Sequence, residues 1–161
     1  MNAVRFLPHL VTLIALLTLA ACSTQRPAPE VELEMLDGSQ QSLSEFTDGP
    51  VLLTFWATTC PGCIEEIPLL ETLQKDYGDQ GLTVLGVAMS YDPRKQVEEL
   101  VERRNLGYPI ALDSDGRVAQ AFGDVRLTPT SFLISPEGKI VYQKIGVIEM
   151  ENVRGRIEAM L

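Results

Sequence analysis

The chain has 161 residues, 45% of them hydrophobic, with 13 basic against 22 acidic side chains and a formal net charge of −9. That length and apolar content suit a single domain with its own buried core. The acidic balance excludes a surface built for nucleic acid or for anionic lipid headgroups.

The N-terminus carries Arg5 and the free amine, followed by a mostly apolar stretch from Leu10 to Ala21. This matches the core of a signal peptide, and it is shorter than the roughly 20 residues needed to span a bilayer. The stretch ends in Leu19-Ala20-Ala21-Cys22, which resembles the bacterial lipobox, where cleavage leaves Cys22 as a diacylglycerol-modified N-terminus. The alternative is an ordinary signal peptide that leaves Cys22 as a free thiol, a liability in an oxidising compartment. Residues 1–21 are therefore expected to be a lipoprotein signal peptide, and 22–29 a lipidated cysteine with a polar, proline-containing tether. Residues 30–161 are the expected folded domain. Removing residues 1–21 takes one of the 13 basic residues, Arg5, and no acid, which leaves 12 against 22 and a net of −10.

Strand and helix signals then alternate. Val31 to Leu36 and Gln40 to Leu43 flank Asp37-Gly38-Ser39 and predict a hairpin, with Ser42 and Glu45 spaced to cap a short helical turn. Val51 to Ala57 is a continuous apolar run of the kind buried on both faces of a sheet. From Pro61 a helix carries Ile64, Ile67, Leu70 and Leu73 on one face as far as Tyr77-Gly78, with a kink expected at Pro68. Leu82 to Met89 is a second buried strand; Asp92 and Pro93 read as the N-cap and first-turn proline of a helix to about Arg104. Tyr108 to Leu112 is a short strand and Arg117 to Phe122 a short helix stopped by Gly123. Ser131 to Ser135 and Ile140 to Ile145 form a hairpin around Pro136 to Lys139, before a terminal helix from about Glu149. This order predicts an α/β fold with a mixed sheet.

Between the first apolar strand and its helix lies Cys60-Pro61-Gly62-Cys63. Two thiols at this spacing, at a strand exit and helix entrance, suit thiol–disulfide exchange. The first sulfur sits where unpaired N–H groups and the helix dipole favour a thiolate, and the second lies close enough to close a disulfide. A zinc site needs four ligands, but the remaining candidates are Cys22 and His9 at the extreme N-terminus. A purely structural bridge would close too small a loop to restrain the unfolded chain much.

Phe55-Trp56-Ala57 before the cysteines, Glu66-Ile67-Pro68 after them, Thr128-Pro129-Thr130-Ser131-Phe132-Leu133-Ile134 and Glu137-Gly138-Lys139-Ile140 occur in order. Together they resemble the TlpA/ResA-type thioredoxin-like proteins, which are tethered periplasmic thiol–disulfide oxidoreductases. The resemblance covers residues 30–161. It implies a thioredoxin-like fold, a central mixed β-sheet flanked by helices with an N-terminal β-hairpin extension. It implies Cys60 as nucleophile, Cys63 as buried resolving thiol and Glu66 as a carboxyl that shuttles the resolving thiol's proton. It also implies a cis-proline loop at Pro129, with the backbone of Thr128 free to bind a substrate strand. Glu66 also has a plainer reading as an exposed acid near a helix N-terminus, and Glu65 is expected to be one. The plainer reading of Pro129 is a trans turn proline before an edge strand.

The chain departs from the family pattern at Thr59, where tryptophan is usual, which removes one aromatic wall of the substrate surface. Thr54 stands where cytosolic thioredoxin carries a buried aspartate, leaving Glu66 as the nearby proton carrier. The family implies a bacterial periplasmic protein, attached to a membrane by its lipid, that reduces disulfides in exported proteins, apocytochrome c among them. A DsbD-like or CcdA-like membrane protein would be the electron donor, and no cofactor or metal is called for. Ser23 after the lipidated cysteine points, by the enterobacterial sorting rule, to the outer membrane. Two other functions are weighed. A peroxiredoxin-like peroxidase would need a threonine three residues before Cys63, where Cys60 stands. A metal-binding assembly protein of the same superfamily would need a histidine beside the thiols, and the mature chain has none.

Overall fold

The computed structural model describes residues 25–161; the expected signal peptide and Cys22 lie outside the described residues. Seven strands form one mixed sheet: β1 (Glu32–Met35), β2 (Gln40–Ser42), β3 (Val51–Trp56), β4 (Thr83–Ala88), β5 (Ile110–Leu112), β6 (Thr130–Ile134) and β7 (Ile140–Ile145). Their order across the sheet is β2-β1-β5-β4-β3-β6-β7. The helices are α1 (Pro61–Tyr77), α2 (Arg94–Arg104), α3 (Arg117–Ala121) and α4 (Met150–Glu158). None of the described helices is long and apolar enough to cross a membrane.

Every residue of β3 is buried. It pairs in parallel with β4, with Leu53 opposite Leu85, and antiparallel with β6, with Thr54 opposite Ser131. A strand covered on both faces and paired along both edges has nothing to offer water, which explains its unbroken apolar sequence. Successive side chains point to opposite faces. Leu52 and Trp56 pack in a cluster with Ile67, Leu70 and Leu73 of α1, Val97 of α2 and Val153 and Ile157 of α4. Val51, Leu53 and Phe55 pack on the other side with Phe122, Phe132 and Val118. The parallel steps β3 to β4 to β5 proceed in one direction across the sheet. Crossovers of one hand then place α1 and α2 on the same face.

The predicted hairpin is present. It extends the sheet because β1 lies antiparallel against β5, with Glu34 opposite Leu112. At its end the Ser42 N–H donates to Glu45 Oε1 at 2.7 Å, the expected reciprocal cap of a single 3₁₀ turn. Helix α1 begins with Pro61, a position that needs no N–H donor, and runs through Pro68 as one element. Pro68 is exposed, and Thr72 Oγ1 donates to its carbonyl at 2.8 Å.

Two details differ from the sequence reading. Asp92 does not cap α2; Pro93 takes the N-cap position. The carboxylate turns instead to Thr58, whose N–H and Oγ1 both donate to it at 2.6 Å. Two short bonds satisfy that buried group better than one cap bond would. The last tether residues also run against the β6–β7 turn. Ala28 N–H donates to the Gly138 carbonyl at 2.8 Å, and Ile140 N–H to that of Arg26 at 2.9 Å. The Arg26 guanidinium lies 5.7 Å from the centre of the Phe132 ring.

Gly49, just before β3, shows how closely the loops meet beneath the sheet. A Cβ there would fall 2.2 Å from the backbone oxygen of Gly81, an atom that cannot rotate away. Gly49→Ala should therefore destabilise the fold by about 3 kcal/mol, measured as a lower urea midpoint with an unchanged slope. A midpoint within error of the parent would mean that the two loops do not pack this way.

Candidate active site

Cys60 and Cys63 are joined as a disulfide, with their Cα atoms 5.2 Å apart. Their placement follows from the junction of β3 with α1. Beyond Trp56 the chain turns, and the Cys60 N–H donates to the Ala57 carbonyl at 3.2 Å. Cys60 is the N-cap of α1, and its sulfur accepts from the Cys63 N–H at 3.1 Å. That bond and the helix dipole would stabilise negative charge on the Cys60 sulfur when the disulfide opens. The two sulfurs are not equivalent. Cys60 is half-buried, while Cys63, one turn into the helix, is only 2% exposed.

Glu66 is enclosed, with 1% of its surface exposed, so the exposed-acid reading does not hold. It is held at both oxygens: the Ile148 N–H donates to Oε1 at 2.9 Å and Thr54 Oγ1 to Oε2 at 3.1 Å. Thr54 Oγ1 is also 2.8 Å from Ser131 Oγ on the neighbouring strand. Burial raises the Glu66 carboxyl above its ordinary range, and the bonds from Ile148 and Thr54 pull it back only in part. On the helix, Glu66 lies three residues after Cys63 and so on the same face. Glu65 points outward and is exposed.

The peptide bond between Thr128 and Pro129 is cis, so the trans reading does not hold. Pro129 lies against the CxxC turn: a Cβ on Gly62 would sit 3.3 Å from Pro129 Cδ and 3.6 Å from Val147 Cγ2. Glycine at 62 allows this approach. The Pro129 carbonyl accepts from the Gly146 N–H at 2.8 Å, whereas the N–H and carbonyl of Thr128 have no partner among the described residues. Leu127, just before Thr128, is 61% exposed, and Ile145, paired with Thr130 beside the loop, is 58% exposed.

Sequence reasoning thus brings Cys60, Cys63, Glu66, Thr128 and Pro129 near one end of the sheet, and Cys22 lies outside the described residues. It missed the Thr54 hydroxyl that donates to Glu66, with Ser131 Oγ behind it on Thr54 Oγ1, and the tie from Asp92 to Thr58. The signal for the first was two hydroxyl residues inside otherwise apolar strands. Among the described residues there is no group of three or more His, Cys, Asp or Glu side chains able to hold a metal ion.

The Redoxin family profile matches residues 24–161. The thiol–disulfide oxidoreductase ResA of Geobacillus thermodenitrificans is 33% identical over 83% of this chain and 75% of its own length. The chain belongs to the Redoxin family, among the ResA-type thiol–disulfide oxidoreductases. Its fold agrees with that of a putative thiol:disulfide interchange protein DsbE from Chlorobium tepidum. That structure has a TM-score of 0.77 and 27% identity over 84% of this chain and 96% of the other. A putative thioredoxin from Neisseria meningitidis has a TM-score of 0.77 and 32% identity over 83% and 88%. As a ResA-type protein-disulfide oxidoreductase, the chain has Cys60 and Cys63 as its redox pair.

Proposed function

We propose that this ResA-type protein is a lipid-anchored periplasmic reductase of disulfides in exported polypeptides. The observation that carries the mechanism is the inequality of its two sulfurs. Cys60 is half-buried at a helix N-cap, and Cys63 is buried on the helix face that carries Glu66. In the reduced protein the Cys60 thiolate attacks one sulfur of a client disulfide. An S–S bond forms between Cys60 and the client, and the client's other sulfur leaves as a thiolate. Cys63 then loses its proton to Glu66 and attacks the Cys60 sulfur, forming the Cys60–Cys63 bond and releasing the client's second thiolate. Two electrons pass to the client, and the protein is left oxidised. The unpaired backbone of Thr128 suits an extended client strand, with Leu127 and Ile145 offering apolar contact beside it.

Residues 1–21 act as the signal peptide and Cys22 as the lipid attachment point. Because Arg26 to Ala28 bond to the β6–β7 turn, the four residues' length of chain from Cys22 to Arg26 can reach at most about 14 Å. The body is thereby kept at the surface of whichever membrane holds the lipid. Ser23 assigns the outer membrane where the enterobacterial rule applies. A DsbD-like or CcdA-like donor in the inner membrane would require that the rule not hold in this host. The cysteine disulfide of apocytochrome c is one client that the family implies, and Thr59 in place of the aromatic residue weakens that assignment.

The direction of electron flow is tested by equilibrating the protein with glutathione. Proline and glycine between the cysteines provide no imidazole to stabilise a thiolate, so the expected potential lies nearer about −270 mV than about −120 mV. A value above about −150 mV would make the protein an oxidase.

A further inference from the structure

Asp92 is a buried carboxylate that the exchange mechanism does not use; it is 8% exposed. Its residue follows β4, yet both of its oxygens bind the segment that delivers Cys60. Thr58 N–H donates to Oδ2 and Thr58 Oγ1 to Oδ1, each at 2.6 Å. Neighbouring bonds brace the same segment. The Met89 N–H donates to the Trp56 carbonyl at 3.0 Å, the Asp92 N–H to the Met89 carbonyl at 2.9 Å, and the Cys60 N–H to the Ala57 carbonyl at 3.2 Å. Residues 57–60 are thus held at Ala57 by the turn itself and at Thr58 by a carboxylate from the next strand exit.

We infer that Asp92 is a positioning residue for Cys60, acting through Thr58 to keep the attacking sulfur at the N-cap of α1. This rests on the reading of Cys60 as the nucleophile. In the oxidised protein the bond to Cys63 holds Cys60 in place covalently, so the clamp is dispensable there. In the reduced protein that covalent restraint is gone, and the sulfur is kept beside the Cys63 N–H by the turn, by the clamp and by the first helical bonds, in which the Cys63 and Ile64 N–H groups donate to the Cys60 carbonyl, each at 3.1 Å. Ordering the loop costs freedom only in the reduced protein, so the clamp favours attack over wandering of the loop and favours closure of the Cys60–Cys63 bond over the open dithiol. Asparagine at 92 preserves the shape: its carbonyl accepts from the Thr58 N–H and its amide donates to Thr58 Oγ1. Thr58→Val removes the hydroxyl bond and leaves the backbone one.

The test uses the full chain and its Asp92→Ala, Asp92→Asn and Thr58→Val variants. Three quantities are read: the rate at which each reduced protein attacks insulin disulfides, the equilibrium with glutathione, and the melting temperature. Asp92→Ala should slow attack about tenfold and move the glutathione equilibrium severalfold toward the open dithiol. Asp92→Asn should restore both to within about twofold, and Thr58→Val should fall between. A lower melting temperature with rate and equilibrium unchanged would overturn the inference, leaving Asp92 a structural residue. An Asp92→Asn protein as slow as Asp92→Ala would overturn it too, since charge rather than shape would then matter. Should Asp92→Ala fail to fold, a Thr58→Val protein at the parental rate overturns it. A parent protein inert toward insulin would instead refute the reading of Cys60, and the two failures are thereby distinct.

Discussion

Cys63→Ala should abolish turnover, by about 10³-fold or more, while leaving the first attack on a client disulfide intact. The reason lies in the burial of the second sulfur. A client can approach Cys60, but Cys63 is sealed beneath it and has access only to the Cys60 sulfur. Without Cys63 the mixed disulfide has no internal route to release, so client polypeptides should accumulate covalently on Cys60. These conjugates appear as higher bands on a non-reducing gel and vanish with reductant. The converse variant, Cys60→Ser, should form none. Conjugates carried by Cys63 in the Cys60→Ser protein would reverse the assigned roles. Sequencing the trapped partners would also identify the clients, with cytochrome precursors confirming the client that the family implies.

Glu66→Gln should raise stability at neutral and alkaline pH and lower activity. The sign follows from the raised carboxyl. The native protein holds the Glu66 proton to higher pH than the unfolded chain does, because ionising a group with 1% exposure costs solvation. Its contribution to stability is complete below the ordinary carboxyl value near 4.5 and is lost as pH rises through the elevated native value. Glutamine cannot ionise, yet its amide can keep both contacts, accepting from the Ile148 N–H and donating to Thr54 Oγ1. The variant should therefore melt above the parent at pH 8, with the gap closing toward pH 4. Resolution of a preformed mixed disulfide should slow about 10²-fold, since the amide cannot take the Cys63 proton. A melting difference independent of pH would mean that Glu66 does not titrate as its burial demands. Resolution at the parental rate would remove Glu66 from proton transfer.

The sequence conveyed the parts of this protein that depend on local pattern. The buried run of β3, the proline-started helix behind Cys60 and the hairpin around Asp37 to Ser39 each carry their own signal in spacing or turn chemistry. The CxxC pair announces its chemistry in the same way. What escaped was everything decided across the fold. Asp92 before Pro93 reads locally as a helix cap, but a buried donor pair on Thr58, 34 residues away, offers it more than the helix does. Thr54 reads as a departure within an apolar strand; its hydroxyl acquires meaning only when α1 brings Glu66 over it and β6 brings Ser131 alongside. The burial of Glu66 was similarly open from sequence, because an acid early in a helix is favoured whether it faces water or the core. Docking of the hairpin on β5 rather than beside β3 is a tertiary choice with no local signature.

The account stands or falls on exchange between the Cys60–Cys63 pair and a protein disulfide. The most direct test mixes the reduced full chain with insulin, quenches in acid, and counts free thiols on both proteins by alkylation. Two thiols should disappear from this chain for each insulin disulfide opened, and the Cys60→Ser protein should open none. Thiols that persist on this chain while insulin stays intact, or insulin reduced equally well by Cys60→Ser, would contradict it.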